Sequence, residues 1–198
     1  ANGLIAAIAD AHSLEAAGDD ILRPITHGPL GSAQHPYGGV IALDGNLTPQ
    51  LLSEIAQSPL FADADLRIAP ASPGKAERLL PFAQAGRGTL YVNLSEAELL
   101  CWHAHECAQS AGLALVARGA ARAIVTNGDQ MAADVCNAHT YTGTPRQVDA
   151  KRITGAGDTF MAAHIAAELR AAPAINRSVA LERALEAAAT YVSGETPK

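Results

Sequence analysis

The stretch TLYVNLSEAELL, residues 89–100, joins a short apolar run directly to a helical pattern. Residues 89–93 are apolar and bounded by turn residues, which is typical of a strand. Ser95 and Glu98 have the S-x-x-E spacing of a capping box, so we expect a helix that begins near Ser95 and runs to about Ser110. The stretch therefore predicts a strand followed at once by a helix.

The same alternation recurs on both sides of this unit, because helical patterns lie between most of the other short apolar runs. The predicted strands are residues 3–9, 39–43, 65–69, 89–93 and 122–126. Alternation of this kind predicts βαβ units. The expected fold class is α/β, a three-layer α/β/α arrangement whose mostly parallel sheet is flanked by helices.

The connecting segments predict further elements. Thr48 can cap a helix whose first turn suits Pro49, whereas Pro81 should kink or end the helical pattern of residues 74–85. The remaining expectations are a long surface loop over 18–39, an antiparallel hairpin or edge strands over 131–143, and helices over 158–170 and 176–192.

Composition and charge limit the function classes. The 198 residues suit a single domain, 1–198, and their net charge of -6 without a basic run argues against nucleic-acid or membrane partners. A small-molecule substrate is expected instead. Three cysteines, Cys101, Cys107 and Cys136, form no CxxC and favour a reducing compartment, so we predict a cytoplasmic protein.

Polar groups follow three of the predicted strands, at 44–46, 93–96 and 126–128. In open parallel sheets, ligands bind at the carboxyl ends of the strands. These three segments are therefore candidate site segments.

The segment RITGAGDTFMAAH, residues 152–164, places two glycines just before a helical pattern. Gly155 and Gly157 would allow a concave run of N–H groups that holds a phosphate, aided by the dipole of the following helix. Alternatively, Asp158 simply caps that helix after a flexible turn. The Walker A pattern is absent, and Phe160 stands where a dinucleotide fingerprint needs glycine. The residues alone leave the phosphate cradle and the capped turn open.

TGAGDTF at 154–160, followed by an Ala-rich helix, closely resembles the C-terminal signature of the ribokinase-like PfkB family of carbohydrate kinases. VNLSEAELL at 92–100 looks like the N-x-x-E segment of that family, and AIVTNGDQ at 123–130 looks like its strand followed by T-x-G. ALDGN at 42–46 and the segment 69–82 also stand in the expected order. The resemblance extends over essentially the whole chain.

This resemblance implies an ATP-dependent kinase that transfers the γ-phosphoryl group to a hydroxyl of a sugar or nucleoside. The family implies that Gly155, Ala156 and Gly157 form an anion hole and that Asp158 activates the acceptor hydroxyl. A vitamin-precursor kinase, of the hydroxymethylpyrimidine or pyridoxal type, shares the fold and remains an alternative. A non-catalytic nucleotide-binding remnant of the family is a further one.

The implied cofactors are ATP and Mg²⁺. The implied cofactor-binding residues are Asn93, Glu96, Thr126, Gly128 and Thr154, with Glu96 holding Mg²⁺ through water. Glu96 also has a purely structural interpretation, as a first-turn carboxylate favoured by the helix dipole.

Two departures from the family pattern alter these expectations. Arg152 stands where many members have an aspartate that helps to hold a monovalent cation, and Asp149 lies upstream of it, which argues against a K⁺ site. Complete members also carry N-terminal strands, a lid and a sugar site that this sequence lacks, so we expect a chain truncated at its N-terminus or a naturally short homologue. Family members often dimerise through the lid, and without it we expect no homodimer by that route.

The segment CWHAHEC, residues 101–107, suggests a metal site. On one continuous helix, however, the pair Cys101 and His105 would lie nearly opposite the pair His103 and Cys107. The four side chains could not share one ion, and we expect no metal there.

Overall fold

The computed structural model describes residues 12–171 and 176–195. Within them, six strands form one sheet: β1 Val40–Asp44, β2 Asp65–Ala69, β3 Thr89–Asn93, β4 Arg122–Asn127, β5 Gln130–Cys136 and β6 His139–Gly143. Strands β1 to β4 are parallel, and β5 and β6 continue the sheet antiparallel. The mostly parallel sheet and the hairpin are thus confirmed, whereas the strand predicted at 3–9 lies outside the described residues.

The helices alternate with the parallel strands. They are α1 His12–Ala17, α2 Arg23–Thr26, α3 Pro49–Gln57, α4 Leu80–Ala85, α5 Leu94–Cys101, α6 Ala108–Ala117, α7 Ala156–Ala171 and α8 Arg177–Ser193. Short 3-10 turns lie at Gly18–Leu22, Pro59–Phe61 and Pro73–Leu79. The segment 18–39 is therefore not wholly a loop, because helical turns occupy its first part. No helix within the described ranges is long and apolar enough to cross a membrane.

The two faces of the sheet have different cores, because side chains alternate along each strand. Ile68, Leu90 and Val125 belong to the larger core, which also includes residues of α3 to α6. On the other face, Tyr91 and Ile124 pack in a smaller core with residues of α7 and α8. This arrangement of helices on both faces is the three-layer fold expected.

The helix after β3 differs from the expectation at both ends. The capping box is formed by Asn93 and Glu96, so the helix begins at Leu94 and Ser95 lies inside its first turn. The helix ends at Cys101, because Trp102 adopts a left-handed conformation with φ 51°. The prediction of one helix from Ser95 to about Ser110 was therefore wrong.

Of the two prolines considered in the sequence, Pro49 occupies the predicted position and Pro81 does not. Thr48 accepts a hydrogen bond from the Leu51 N–H at 3.2 Å, with Pro49 in the first turn as expected. Pro81, in contrast, lies in the first turn of α4 and does not end a helix. Proline fits there because first-turn N–H groups have no partner within the helix.

Candidate active site

A cavity of about 270 Å³ lies at the carboxyl ends of β2, β3 and β4, opposite the turn that precedes α7. The predicted site residues that line it are Asn93, Glu96, Thr126, Thr154, Gly155, Gly157 and Asp158. The structure therefore brings together residues from three separate segments of the chain. The candidate segment 44–46 does not line this cavity. In that segment, the Asp44 carboxylate accepts hydrogen bonds from the backbone and the side chain of Asn46.

A second cavity, of about 350 Å³, adjoins the first. Thr126, Gly157 and Phe160 line both cavities, and the predicted residues Gly128 and Ala156 line the second. Most of its other walls are apolar side chains: Ala132, Pro145, Val148, Ala150, Ile153, Leu185, Ala188, Ala189 and Val192. The pair of cavities thus offers one compartment with polar groups and one that suits a flat apolar group.

The glycine turn adopts a conformation that other residues rarely reach. Gly155 has φ +91°, and a Cβ there would lie 2.6 Å from the Tyr191 hydroxyl oxygen. The carbonyl of Gly155 accepts hydrogen bonds from the Thr159 N–H at 2.9 Å and from its hydroxyl at 2.8 Å. These bonds start α7 immediately after the turn.

Two backbone donors at the start of α7 have no acceptor within the described residues. The Ala156 N–H donates to the Ile153 carbonyl at 3.0 Å, but the N–H groups of Gly157 and Asp158 make no such bond. The first turn of a helix leaves its N–H groups without intrahelical partners, and the helix dipole adds partial positive charge. The turn can therefore bind an anion, as the phosphate-cradle interpretation requires.

Asp158 is exposed and occupies the third position of α7. Its carboxylate makes no hydrogen bond or ion pair with any described residue. A capping aspartate would precede the helix and accept a backbone N–H, and Asp158 does neither. The carboxylate lines the smaller cavity and is available to a ligand there.

Asn93 and Glu96 bond to each other's backbone at the end of β3. The Glu96 N–H donates to Asn93 Oδ1 and the Asn93 N–H donates to Glu96 Oε2, both at 2.9 Å. Burial raises the pKa of Glu96, and the hydrogen bond from Asn93 partly opposes that effect. Because Glu96 Oε1 makes no hydrogen bond within the described residues, the carboxylate can cap the helix and also meet a hydrated cation.

Thr126 and Gly128 lie where the sheet changes from parallel to antiparallel. Thr126 is aligned with Asn93 in the β3–β4 pair, and the β4–β5 register shifts between Val125 and Asn127. Gly128 follows with φ +58° in the turn between those strands. This irregularity directs the turn towards the larger cavity, which both Thr126 and Gly128 line.

The cysteine and histidine residues of segment 101–107 do not lie on one helix, as the sequence argument had assumed. Because α5 ends at Cys101 and α6 begins at Ala108, the segment between them is not one helix and the argument from opposite helix faces does not apply. In the described part of the chain, no three His, Cys, Asp or Glu side chains converge as metal ligands.

A buried polar network on the α7 face of the sheet was missed by the sequence reasoning. Arg67 donates to Glu168 at 2.5 Å and to the Tyr91 hydroxyl at 3.0 Å, and its other nitrogens bind Asp65. The Tyr91 hydroxyl also lies 3.0 Å from His164 Nδ1. These contacts join β2 and β3 to α7, and the pair Arg122 and Asp134 extends the network to β4 and β5.

In that pair, Arg122 binds Asp134 through two nitrogens at 2.7 and 2.6 Å and reaches Glu168 at 2.8 Å. Burial alone would raise the pKa of Glu168, but Arg122 and Arg67 together lower it to about 2. Burial lowers the pKa of His164 to about 4, despite the nearby Glu168 charge. At neutral pH, the network therefore contains an ionised Glu168 and a neutral His164.

One sequence signal could have revealed this network. Arg67 stands between the apolar residues Leu66 and Ile68 of β2, and His164 and Glu168 stand four residues apart in an Ala-rich helix. Charged residues are almost never fully buried unless they are paired, so such positions indicate partners elsewhere in the chain. The partners themselves could not be named, because Arg67 and Glu168 are 101 residues apart.

The fold matches solved structures of kinases at low sequence identity. A carbohydrate kinase from Agrobacterium tumefaciens superimposes with a TM-score of 0.70 at 22% identity, over 94% of this chain and 57% of that one. A putative sugar kinase from Clostridium perfringens gives 0.72 at 19% identity, over 96% and 57%. A ribokinase from Thermotoga maritima gives 0.65 at 21% identity, over 78% and 50%. The chain thus spans about half the length of these structures.

The family comparison covers most of the sequence. No curated protein matches the chain. A model of the pfkB family carbohydrate kinases matches residues 33–195, which include all of the predicted site residues. The chain therefore belongs to the pfkB family of carbohydrate kinases.

Proposed function

We propose that the protein is an ATP-dependent kinase that phosphorylates a hydroxyl group of a sugar or nucleoside. One observation carries the proposal: the polar cavity at the strand ends includes the buried Glu96, the Asp158 carboxylate and two backbone N–H groups. Neither that carboxylate nor those N–H groups have a partner among the described residues. Phosphoryl transfer depends mainly on positioning and on donors aimed at developing negative charge. This cavity supplies both a base and such donors.

In the proposed reaction, the acceptor hydroxyl binds beside Asp158. Its oxygen forms a bond to the γ-phosphorus, the bond from that phosphorus to the β–γ bridging oxygen breaks, and the proton passes to the Asp158 carboxylate. The unpaired N–H groups of Gly157 and Asp158 would stabilise the phosphoryl oxygens, with Gly155 and Ala156 shaping the anion hole. The products are a phosphorylated acceptor and ADP.

Glu96 and Asn93 would hold the hydrated Mg²⁺ and the donor phosphates. A carboxylate oxygen without a hydrogen bond suits Mg²⁺, which prefers oxygen ligands and retains several waters. When bound, Mg²⁺ would neutralise charge on the donor phosphates. Thr154 and Thr126 would contact the phosphates from the two sides of the cavity.

The apolar cavity supports a nucleotide as the phosphoryl donor. One structural neighbour is a pyrophosphate-dependent kinase of the ribokinase family, with a TM-score of 0.61 at 14% identity. Pyrophosphate carries no nucleobase that could occupy an apolar cavity. The larger cavity here is lined chiefly by aliphatic side chains and by Gly128. Flat bases bind in pockets of this kind, so we infer ATP as the donor.

The acceptor class rests on the family and on the titles of its structural neighbours. These include a ribokinase and the adenosine kinase of Trypanosoma brucei brucei, which is 14% identical with a TM-score of 0.65. A sugar or nucleoside is therefore proposed as the acceptor. We also infer a reducing, cytoplasmic compartment, which the three free cysteines support.

The test is phosphoryl transfer by the full-length protein that contains this sequence. ATP with Mg²⁺ is supplied with a panel of sugars, nucleosides, hydroxymethylpyrimidine and pyridoxal, and phosphorylated products are detected by mass spectrometry. A matched series replaces ATP with pyrophosphate. We expect product from ATP with at least one sugar or nucleoside.

Each other outcome selects a different conclusion. Product from only the vitamin precursors would make the protein a kinase of that class, and product from pyrophosphate alone would overturn the assignment of the donor. A thermal shift with ATP but no product on any acceptor would indicate a nucleotide-binding remnant. If the protein neither bound ATP nor formed any product, the proposal would be overturned entirely.

A further inference from the structure

Arg152 connects the turn before α7 to the last turn of α8. Its Nε donates a hydrogen bond to the Tyr191 carbonyl at 2.7 Å, and its guanidinium carbon lies 3.8 Å from the centre of the Tyr191 ring. The backbone N–H groups of Lys151 and Arg152 both donate to the Val192 carbonyl, at 2.9 and 3.2 Å. The chain entering the glycine turn is thus attached to the end of another helix.

Tyr191 completes the connection in the opposite direction. Its hydroxyl donates to the Thr154 carbonyl at 2.8 Å, and the ring packs so closely on Gly155 that a Cβ there would overlap the hydroxyl. Arg152 and Tyr191 therefore form a reciprocal pair, which we call the Arg152–Tyr191 latch. The latch joins α8 to both ends of the segment 152–155.

The chemistry of the latch suits arginine in particular. The last carbonyl groups of a helix carry partial negative charge, so a cation is favoured beside the Tyr191 carbonyl, which also accepts a bond from the Gly194 N–H at 3.1 Å. A guanidinium can stack on an aromatic ring and donate from Nε at the same time, whereas an ammonium group cannot do both. Because Arg152 is exposed, its contacts cannot be explained by the packing of a hydrophobic core.

The segment held by the latch has few other attachments. The other hydrogen bonds of residues 153–155 in the described structure are local ones, from Ala156 to Ile153 and from Thr159 to Gly155. Immediately after this segment come the unpaired N–H groups of Gly157 and Asp158. The latch therefore adds a surface attachment, beside the packing of α7 on α8, that holds the turn in front of these donors.

We propose that Arg152 and Tyr191 are positioning residues that hold the anion-binding turn and Asp158 in the geometry for phosphoryl transfer. The inference rests on the proposed kinase function. Small displacements of reacting groups can reduce a rate by as much as about 100-fold. Neither side chain lines the smaller cavity, so both would act through the turn.

The test measures kcat and KM for ATP in the full-length protein with its active acceptor. Arg152→Ala is expected to lower kcat by about 10- to 100-fold, with a smaller change in KM, because the loosened turn affects the transition state more than binding. Arg152→Lys should recover only part of the loss. Tyr191→Phe keeps the ring but removes the bond to Thr154, and should lower kcat by a smaller factor.

Two measurements separate positioning from general destabilisation. Millimolar guanidinium chloride, too dilute to unfold the protein, should raise kcat of Arg152→Ala without raising that of the wild type. The double variant Arg152→Ala/Tyr191→Phe should lose less activity than the product of the two single losses, because the two side chains act as a unit. The matched control is Arg183→Ala, which removes an exposed arginine from α8 and should leave kcat and KM unchanged.

Failure of the latch differs from failure of the kinase assignment. If the wild type phosphorylates an acceptor and Arg152→Ala has wild-type kcat, the latch is wrong while the proposed function stands. Additive losses without rescue by guanidinium would also overturn the positioning role. If the wild type neither binds ATP in a thermal-shift assay nor turns over, the proposed function fails first, and the latch fails with it.

Discussion

Helix α7 carries two carboxylates in opposite environments. Asp158, in its first turn, is exposed and has no polar partner among the described residues. Glu168, near its other end, is 3% exposed and receives hydrogen bonds or ion pairs from Arg67 and Arg122. The same helix thus presents one carboxylate to a cavity and uses the other to attach itself to the sheet.

The difference shows how a fold can present reactive groups that do not bond to each other. A free carboxylate and unpaired N–H groups keep a useful geometry only if the helix that carries them is held elsewhere. Glu168 fixes α7 against strands β2 and β4 from within the protein. The Arg152–Tyr191 latch holds the turn before α7 from the surface.

The largest expected effect comes from removing the charge at the exposed carboxylate. Asp158→Asn should lower kcat by about 100- to 10,000-fold, the range typical of a general base. It should lower the free energy of unfolding by about 1 kcal/mol or less, because no described contact is lost and only the attraction of a first-turn carboxylate to the helix dipole is removed. Steady-state kinetics and urea unfolding measure the two quantities.

A matched control is Asp63→Asn, which alters an exposed aspartate between two elements far from α7 in the sequence. It should leave both quantities unchanged. A correctly folded Asp158→Asn protein with full activity would show that Asp158 is not the base.

The buried carboxylate should behave in the opposite way. Glu168→Gln is expected to reduce the free energy of unfolding by about 3–5 kcal/mol, because Arg67 and Arg122 would remain buried without their shared anion. Urea unfolding is the measurement, and Glu182→Gln on the exposed surface of α8 is the control. A loss below about 1 kcal/mol would mean that Asp65 and Asp134 suffice to balance the two arginines.

The glycine turn that precedes α7 gives a smaller effect. Gly155→Ala should destabilise the protein by about 1–3 kcal/mol, because φ +91° is unfavourable for alanine and the new methyl group would overlap the Tyr191 hydroxyl. Gly157→Ala is the matched comparison, since a Cβ there meets no atom within 4 Å. Its stability should stay the same or rise slightly. Equal losses in the two variants would contradict this account of the turn.

The last expected effect is a dependence of stability on pH. His164 has its pKa lowered from 6.5 to about 4 by burial, so the unfolded chain binds a proton more readily than the folded one between those values. Stability is therefore fully present above pH 6.5 and falls as the pH drops towards 4, by at most about 1.4 kcal/mol per pH unit for one proton. Glu168, with its pKa lowered from 4.5 to about 2, extends the loss below pH 4.5.

Urea unfolding at several pH values tests this dependence. The groups that face His164 are Tyr91, Glu168, Arg122, Asp134 and Arg67. His164→Gln should flatten the profile between pH 6.5 and 4, whereas His35→Gln, at an exposed loop position, should not. An unchanged profile in His164→Gln would assign the acid sensitivity to other groups.

Much of the fold could be predicted because its signals are local. The boundaries predicted for β2 and β3 match the structure, and the hairpin of β5 and β6 follows the alternating pattern over 131–143. The errors arose where competing local signals were close together. Asn93 satisfies the first-turn N–H of Glu96, so Ser95 had no capping role left, and the left-handed Trp102 ended a helix whose apolar pattern continued.

The candidate site was predictable in its components but not in its supports. The glycine turn, the Asn93–Glu96 pair and the Thr126–Gly128 turn each have a recognisable local pattern, and the structure assembles them around adjoining cavities. The contacts that hold them could not be predicted in the same way. Arg152 had no recognisable partner in the sequence, because Tyr191 is 39 residues away.

By itself, the sequence determined the alternation of strands and helices, the glycine turn before α7 and the order of the motifs, since each depends on residues close together in the chain. Only the tertiary structure decided which charges are paired. Arg67, Arg122 and Glu168 come from distant segments, and their burial is tolerable only after the strands and α7 bring them within hydrogen-bonding distance. That pairing makes Glu168 an anchor, whereas Asp158 has no polar partner among the described residues.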